Sequence, residues 1–523
     1  MHTDKIDTSE KQLLVEELLE YSEKFLYLDS RDKIYLRNRL LSELKLSAPL
    51  KDKKNLDYVG KMSVPDALIE KLSSIAVQDN LAAEGTEELF TTRIMGELSP
   101  LPSVVADTFY AVKEKEGIEK ACSYLFNLSI MNNYVQKTAI SRNLMWKFDD
   151  KEKNRYIEIT INLSKPEKDN KQIAKLVSAP VSGKYPACML CKENVGFEGS
   201  ASHPARGNLR TVPLTLGGES WFVQYSPYGY FNEHMIAVSD THAPMKIDGG
   251  TIDKLLDFVD FFPNYMVGSN AALPIVGGSI LNHEHFQGGG HLMPMHGAGI
   301  AVRLECDGHK SVVAGIVDWY NSVIRLESDE RSQIAAVGKK LVSAWDKYSD
   351  SELSIIAETD GTKHNSITPI VRKEGGKYIL DMILRNNMTS EEYPDGIFHA
   401  HPEYHNIKKE GIGLIEAMGM FILPGRLKTQ LAEIADILCG KKPYDFGALS
   451  DKENNLFVHR FMIKQLMGEG LSPDLGDAER RVRDKVNQTC RNILINTAVF
   501  KEDESGRAGF LKFLATAGLK IKK

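Results

Sequence analysis

The stretch SILNHEHFQGGGH, residues 279–291, contains several side chains capable of metal-binding, acid–base or nucleophilic chemistry. If it forms a strand, alternate side chains project to one face, so His283, His285 and Gln287 line the same wall. A neutral imidazole with one nitrogen held by an acceptor and the other free is a good nucleophile toward phosphorus. The pattern therefore predicts one reactive imidazole beside one metal-binding or structural imidazole. A pair of histidines on a half-exposed strand is the plain alternative.

Three glycines, Gly288, Gly289 and Gly290, follow the motif. Glycines allow backbone N–H groups to approach phosphate oxygens closely, which predicts a phosphate-binding role for this run. Glu284 would face away from the two histidines, and we expect it either to orient a histidine or to pair with a cation. His291 lies beyond the glycines and has no predicted role.

A pair of cysteines in YPACMLCKEN, Cys188 and Cys191, offers a second kind of chemistry. Two thiolates one tight turn apart can bind one Zn²⁺, which then requires two more ligands. A thioredoxin-like redox pair and a chance spacing are the alternatives. The candidates for the missing ligands are the histidines at 203, 234, 242 and 283.

The composition is that of an ordinary globular protein, with 42% hydrophobic and 26% charged residues. The 523 residues predict two to four structural units. A net charge of −6 argues against nucleic-acid binding. Six cysteines are too few for a disulfide framework and indicate a reducing cytoplasm. Because the N-terminus is polar and no run of eighteen apolar residues occurs, we expect no signal peptide and no membrane segment.

The hydrophobic pattern predicts an α+β fold in four regions. They are a helical N-terminal region (1–150), a first α+β unit (151–310), a second α+β unit (311–425) and a helical C-terminal region (426–523).

Individual elements are also predicted. Ser9 and Gln12 are expected to form the capping box of the first helix. Helices are expected from 253 to Pro263 and at 311–325, 331–348 and 413–422, and strands at 156–163, within 219–239, and at 353–358, 366–372 and 378–386.

The order His283-x-His285-x-Gln287 resembles the active-site motif of galactose-1-phosphate uridylyltransferases, a branch of the histidine-triad superfamily. Glu284 stands where the better-known members have proline. The resemblance to the divergent second family of these enzymes runs almost from end to end, through the blocks 32–41, 142–148, 157–169, 185–199, 268–289 and 397–419. It implies that the two α+β units are histidine-triad-like and that the enzyme is a homodimer.

The resemblance implies transfer of UMP from UDP-glucose to galactose 1-phosphate, giving UDP-galactose and glucose 1-phosphate in the Leloir pathway of galactose metabolism. His285 would be the nucleophile of a ping-pong reaction, and Gln287 would hold the phosphoryl oxygens. Because glutamine cannot donate a proton as an acid, Gln287 favours transfer between two sugar phosphates over hydrolysis. The alternatives are a phosphorylase or hydrolase acting on a nucleotide sugar or dinucleoside polyphosphate, and a zinc-stabilised interaction protein without enzymatic activity.

The resemblance also implies two metal sites. Cys188, Cys191 and His283 match ligands of a structural zinc, and His242 matches the fourth, with His234 in reserve. The second site, which iron could occupy, would use the residues His364, His399 and His401, with Glu305 as a weak fourth candidate.

The substrate-binding residues are predicted from three segments. HPARGNLRTVPL offers Arg206, Asn208 and Arg210 to the nucleotide, and the turn before the nucleophile offers Asn270, Gly277, Gly278 and Ser279. Lys409 matches a lysine near the sugar phosphates, and Lys408 is its close rival. A plain turn and a solvated lysine pair are the respective alternatives.

Overall fold

The computed structural model describes residues 6–52, 54–83, 85–164, 185–200 and 203–522. These residues form two compact units. The first takes its described residues from Met1–Arg142 and Glu167–Ala243, and the second from Asn143–Pro166 and Pro244–Lys523. The N-terminal helices and the CxxC segment therefore belong to one unit. The division into four regions stays a prediction, and residues 165–169 of the block 157–169 lie outside the described residues.

Fifteen α-helices occur in the described residues. The first unit contains α1 (Thr8–Phe25), α2 (Lys33–Glu43), α3 (Asp66–Gln78), α4 (Glu87–Leu98), α5 (Pro102–Glu116), α6 (Ile118–Met131) and α7 (Lys137–Ser141). The second contains α8 (Gly249–Phe261), α9 (Arg331–Trp345), α10 (Leu414–Ala417), α11 (Leu427–Leu438), α12 (Phe446–Leu449), α13 (Arg460–Gly468), α14 (Leu475–Thr497) and α15 (Glu504–Thr516).

The described strands, in chain order, are β1 (Leu144–Asp150), β2 (Arg155–Ile161), β3 (Val212–Leu216), β4 (Glu219–Tyr225), β5 (Met235–Ser239), β6 (Met266–Gly268), β7 (His285–Gly289), β8 (Ile300–Cys306), β9 (Val313–Val317), β10 (Val323–Ser328), β11 (Glu358–Thr359), β12 (Thr362–Lys363), β13 (Asn365–Glu374), β14 (Lys377–Asn386), β15 (Met420–Leu423) and β16 (Leu519–Ile521). Together with the helices they confirm the predicted α+β class.

Each unit builds its own arrangement of strands. In the first, β3, β4 and β5 pair as an antiparallel meander. In the second, the strand order β16-β8-β9-β10-β14-β13-β6-β7 is antiparallel at each junction. A separate sheet has the order β1-β2-β15, in which β15 runs parallel to β2. The apolar faces of α8 and α9 pack on the centre of the sheet that runs from β16 to β7, where β13 and β14 are almost wholly buried.

Several predicted elements are confirmed. The helix expected to end at Pro263 is α8, and the strands at 156–163, 366–372 and 378–386 are β2, β13 and β14. The segment 219–239 forms β4 and β5, joined by an aromatic-rich loop. These patterns are local and repeat several times within each element, so the period is unambiguous.

Other expected elements are wrong. The segment 311–325 is not a helix but holds β9 and the start of β10, because its β-branched residues fit a pleated strand better than a helix. The helix expected at 413–422 is only α10, since Gly419 has a φ of +98° and the chain continues as β15. In the segment 353–358 only Glu358 is in a strand.

The capping box of α1 is also displaced from its expected place. Glu10 donates its backbone N–H to the Asp7 side chain at 2.8 Å, and Asp7 donates its own N–H to the Glu10 carboxylate at 3.0 Å. Aspartate caps a helix as well as serine does, and here it comes two residues before Ser9.

Among the described residues, no helix is long and apolar enough to cross a membrane.

Candidate functional site

Strand β7 carries the two residues predicted to act on the substrate. It begins at His285 and pairs antiparallel with β6, with Gln287 opposite Gly268. Because His285 and Gln287 are two residues apart in a strand, they share a face, whereas Phe286 points the other way and is fully buried. His283 lies just before the strand.

The backbone fixes the imidazole of His285. Its Nδ1 lies 2.8 Å from the carbonyl oxygen of His283. A carbonyl can only accept, so Nδ1 carries the proton and donates it, and Nε2 keeps its lone pair. Burial, with the nearby charge of His283, lowers the pKa of His285 to about 4, although the bond to the carbonyl works in the opposite direction. At neutral pH this histidine is uncharged and has one basic nitrogen.

Gly288 has a packing reason to lack a side chain. A Cβ there would lie 2.5 Å from the carbonyl oxygen of Met266 in β6 and 3.3 Å from the ring of Phe258 in α8. The glycine therefore lets β7 lie against both elements. A phosphate-binding role for this glycine run stays a prediction.

The third histidine of the motif has a separate partner. His291 places its Nε2 2.8 Å from a carboxylate oxygen of Glu158 in β2, within the second unit. This contact connects the segment after β7 to the smaller sheet and accounts for His291 without a catalytic role.

Glu284 pairs with a cation, which is one of the two roles expected for it. Lys254 of α8 donates from Nζ to the two carboxylate oxygens of Glu284 at 3.0 and 3.2 Å. Both side chains are less than a tenth exposed.

The first unit brings three predicted metal ligands together. The Sγ atoms of Cys188 and Cys191 are 3.5 Å apart, and Sγ of Cys191 is 3.0 Å from Nδ1 of His242. Ligands placed tetrahedrally around zinc at 2.0–2.3 Å are roughly 3.3–3.8 Å from one another. The donor atoms therefore have nearly the separations that a shared ion requires.

The turn that presents the two cysteines is held by Asn194. Its Nδ2 donates to the carbonyl oxygens of Cys188 and Cys191 at 2.8 and 2.7 Å. His203, one of the histidines considered as a ligand, instead places Nε2 2.6 Å from Oδ1 of Asn194. Through Asn194 it stabilises the turn, as hydrogen-bonded partners of metal ligands commonly do.

Within the first unit, the ligand atoms of Cys188, Cys191 and His242 lie close enough together to hold one metal ion. These are three of the four ligands predicted from the sequence, and His283 as the remaining ligand stays a prediction. The reserve candidate, His234, is buried against the rings of Phe231 and Tyr230, at centroid distances of 4.4 and 5.4 Å. Burial, followed by the hydrogen bond with Cys188, raises the pKa of the Cys191 thiol to about 11.

The second predicted metal site is not assembled in the described part of the chain. His364, His399 and His401 do not join in a group of metal-ligating side chains there. His364 bonds through Nδ1 to Asn387 at 2.9 Å, and Nε2 of His401 lies 3.0 Å from the carbonyl oxygen of Ile397. Glu305, the weak fourth candidate, stands opposite Lys520 where β8 pairs with β16.

His399 has surroundings that oppose a cation. It is 2% exposed, and burial, together with the positive charge of Arg385, lowers its pKa to about 4. A guanidinium that disfavours a proton on His399 disfavours a metal cation there for the same reason. Metal binding at the second site stays a prediction, which the positive charge of Arg385 disfavours.

The comparisons with known proteins concern nearly the whole chain. Residues 27–244 match the family model described as the galactose-1-phosphate uridyl transferase N-terminal domain, and residues 258–455 match the C-terminal domain. The chain belongs to the galactose-1-phosphate uridylyltransferase family.

Proteins of that name in three bacteria are similar over almost their full length. The relative from Caldanaerobacter subterraneus subsp. tengcongensis is 43% identical over 514 residues, which cover 97% of this chain and 98% of the relative. Those from Fusobacterium nucleatum and Halalkalibacterium halodurans are each 40% identical, covering 97% and 96% of this chain and 98% of each relative. A solved yeast Ap4A phosphorylase matches 63% of this chain and 88% of its own at 11% identity, and its TM-score of 0.30 is too low to support an argument.

In this family member, the residues expected near the nucleotide are tied into the first unit. The guanidinium of Arg210 is largely buried and donates to backbone carbonyls, including those of Pro100 at 2.6 Å and Gly96 at 2.8 Å. Asn208 and Asn132 exchange bonds between side-chain amide and backbone carbonyl at 2.7 and 2.8 Å. Arg206 stands over the ring of Tyr134 at 5.7 Å. Contact of these residues with a nucleotide stays a prediction.

In the second unit, the predicted turn before the nucleophile is built around Asn270. Its Oδ1 accepts the backbone N–H of Leu414 at 2.8 Å. A Cβ at Gly278 would lie 2.7 Å from Nδ2 of Asn270, and one at Gly277 would lie 2.3 Å from the carbonyl oxygen of Ala271. The two glycines are thus required by the tight fold of the turn, and Ser279 after them is exposed.

The two rival lysines differ in their surroundings. Lys408 is buried, and its Nζ donates to Glu416 at 3.0 Å and to the carbonyl oxygen of Ile422 at 2.9 Å. Lys409 is exposed. An exposed ammonium can meet a phosphate without breaking an internal ion pair, so the geometry favours Lys409 over Lys408 as a ligand for a sugar phosphate.

Proposed function

We propose that this family member exchanges the uridylyl group between UDP-glucose and galactose 1-phosphate, giving UDP-galactose and glucose 1-phosphate in galactose metabolism. Membership of the family and the names of the relatives support this proposal. The observation that carries it is the state of His285, which is buried and neutral, with Nδ1 bonded to a carbonyl and Nε2 left as the nucleophile.

The reaction consists of two displacements at the α-phosphorus. In the first, Nε2 of His285 forms a P–N bond while the P–O bond to glucose 1-phosphate breaks. The imidazole becomes cationic, and the carbonyl oxygen of His283, which accepts from Nδ1, stabilises that charge. In the second, a phosphate oxygen of galactose 1-phosphate forms the new P–O bond and the P–N bond breaks, which gives ping-pong kinetics.

Gln287 is proposed to hold the phosphoryl oxygens during both displacements. It is half-buried on the same face of β7 as His285. An amide cannot protonate a leaving group, and no such acid is needed, because the leaving group of the first step and the acceptor of the second are both anionic sugar phosphates. The absence of a proton donor at position 287 favours transfer over hydrolysis, provided that water is kept from the P–N bond.

The four predicted ligands of the first metal site, Cys188, Cys191, His242 and His283, are proposed to bind zinc. With His283 as the fourth ligand, as the resemblance implies, two cysteines and two histidines would make a donor set typical of a structural zinc site. A bound zinc would keep both thiols ionised against the burial that raises the pKa of Cys191. It would hold Cys188, Cys191 and His242 in place, and binding of His283, as the resemblance implies, would fix the residue whose carbonyl orients the nucleophile.

The remaining substrate contacts are proposed from the sequence resemblance and the geometry together. Lys409 would bind the hexose phosphate, the turn containing Asn270, Gly277, Gly278 and Ser279 would border the UMP, and the segment from Arg206 to Arg210 would contribute to the nucleotide pocket. A homodimer and a cytoplasmic location belong to the same proposal.

The test is incubation with UDP-glucose labelled on the α-phosphate, followed by intact mass measurement. We expect one acid-labile UMP per chain, absent from the His285→Gly variant, and its transfer to added galactose 1-phosphate as UDP-galactose. The variant Gln287→Glu should label more slowly, because it places a negative charge against the phosphate. Release of free UMP from UDP-glucose, without a sugar phosphate acceptor, would instead indicate a hydrolase and contradict the proposal.

A further inference from the structure

A buried ion pair lies directly beside the nucleophile. Lys254 and Glu284 are 4% and 5% exposed, and Nζ of Lys254 lies 3.0 and 3.2 Å from the two carboxylate oxygens. Burying two opposite charges stabilises a fold little compared with an apolar pair of similar size. A pair at this position therefore requires a reason other than stability.

The position of Glu284 in the chain supplies such a reason. It is the single residue between His283, whose carbonyl oxygen accepts, and His285, whose Nδ1 donates to it at 2.8 Å. The carbonyl carbon of His283 is bonded to the backbone nitrogen of Glu284. Any rotation of that peptide moves the acceptor, so a side chain that anchors Glu284 also restrains the hydrogen bond of His285.

The other end of the pair rests on a rigid element. Helix α8 starts with a capping box between Asp248 and Thr251, and it buries Ile252 before Lys254 and Phe258 after it along the helix. The ammonium is therefore presented from a helix that is fixed at its start and packed along its length.

We infer that Lys254 and Glu284 are positioning residues for His285, holding the His283–His285 backbone so that the proton stays on Nδ1 and the lone pair on Nε2. The kinetic part of this inference rests on the proposed function, whereas the effect on the tautomer does not. Without the pair, the peptide can turn, Nδ1 loses its acceptor, and the proton can move to Nε2, which abolishes nucleophilicity at that atom.

The decisive variant removes both charges at once, Lys254→Met with Glu284→Leu. A single replacement leaves a buried unpaired charge and can prevent folding, whereas the double replacement does not. Nitrogen NMR of ring-labelled histidine reports the tautomer of His285 directly, with the His285→Gly spectrum as the assignment. We expect mainly the Nδ1–H form in the wild type and a shift toward the Nε2–H form in the double variant.

Rapid-quench measurement of UMP transfer to His285 is the second readout. In the double variant the rate at saturating UDP-glucose should fall about tenfold or more, whereas the dissociation constant for UDP-glucose changes less than about twofold. The single variant Lys254→Arg, which keeps a charge paired with Glu284, should retain most of the wild-type rate. A defect that merely loosens the fold would not separate rate from binding in this way.

The matched control removes an ion pair of the first unit, Lys11→Met with Asp79→Leu, whose charged atoms are 2.6 Å apart. It should leave the tautomer unchanged. The inference is overturned if the double variant at 254 and 284 keeps the Nδ1–H form and labels at the wild-type rate. If the wild type is never labelled but its tautomer depends on the pair, the proposed function is wrong and the positioning role stands.

Discussion

The second unit contains two His-x-His pairs of identical spacing, His283–His285 and His399–His401, in different surroundings. His285 is neutral and orients one nitrogen through the carbonyl oxygen of His283. In the other pair, His399 is buried within reach of the positive charge of Arg385. His401 binds the carbonyl oxygen of Ile397 through Nε2 and stacks on the ring of Tyr393 at 4.0 Å.

The comparison shows that the spacing of two histidines determines the face on which they lie, whereas the neighbouring side chains determine their chemistry. Beside the first pair, Glu284 and Lys254 cancel each other's charge. The guanidinium of Arg385 lies near the second pair. Among the described residues, neither His399 nor His401 belongs to a group of metal-ligating side chains. The first pair therefore suits the nucleophile proposed at His285, whereas a metal-binding role for the second pair stays a prediction.

The largest contrast is expected between His285→Gly and His399→Gly. Loss of the nucleophile should slow UMP transfer by about 10⁴-fold or more. Loss of His399 should slow it by less than about tenfold, because His399 touches no reacting atom in the proposed mechanism. Rapid-quench assays with labelled UDP-glucose measure both. Comparable losses in two variants that fold equally well, as judged by circular dichroism, would place catalysis at both pairs.

Metal content should separate the two pairs almost as clearly. Cys188→Ser is expected to lose bound zinc and to lower Tm by several degrees, since ~1 kcal/mol shifts Tm by about 2–4 °C in a unit of this size. His399→Asn should retain the full zinc content, because the positive charge near His399 opposes a cation. Elemental analysis of the purified proteins checks this. A metal lost specifically from His399→Asn would show that the second site is real.

The pH dependence of UMP transfer tests the neutral state of His285. Burial lowers its pKa to about 4, so the lone pair on Nε2 is available at every pH well above 4. The single-turnover rate should stay level from pH 8 to about 5.5 and fall roughly tenfold per pH unit once below the pKa. A midpoint near the unperturbed histidine value of about 6.5 would contradict the buried, neutral state.

The same pKa has a consequence for stability with a definite sign. An unfolded histidine takes up a proton near pH 6.5, whereas His285 and His399 resist protonation down to about pH 4 in the fold. The unfolded state then binds more protons, so stability decreases as pH falls from about 6.5 toward 4. Removing either histidine should flatten this part of the curve, which urea titrations at several pH values measure.

Much of the site could be predicted because its residue types are chemically specific. His283, His285, Cys188 and Cys191 stand out in any sequence, and their short spacings restrict the geometry. His242 needed the resemblance, since its 51-residue separation from Cys191 carries no local signal.

The contacts that could not be predicted are long-range. Lys254 and Glu284 are 30 residues apart, and Glu158 and His291 are 133 apart, so neither pair follows a helical or strand period. The helix expected at 311–325 failed for another reason. Its short apolar runs fit more than one period, and only pairing with β8 and β14 selects the strand.

The smallest expected effect concerns the neighbour of the second pair. Arg385 donates through Nη2 to the carbonyl oxygen of Ile412 at 2.7 Å, a bond that the amide of an Arg385→Gln variant can replace. Removing the guanidinium should raise the pKa of His399 above its value of about 4 but leave it below 6.5, because burial is the larger cause. The pKa of His285 should not change, because burial and His283, rather than Arg385, shift it from its ordinary value. Histidine NMR titration measures both, and an unchanged pKa of His399 would show that burial alone lowers it, so that the arginine would not distinguish this pair from the pair containing His285.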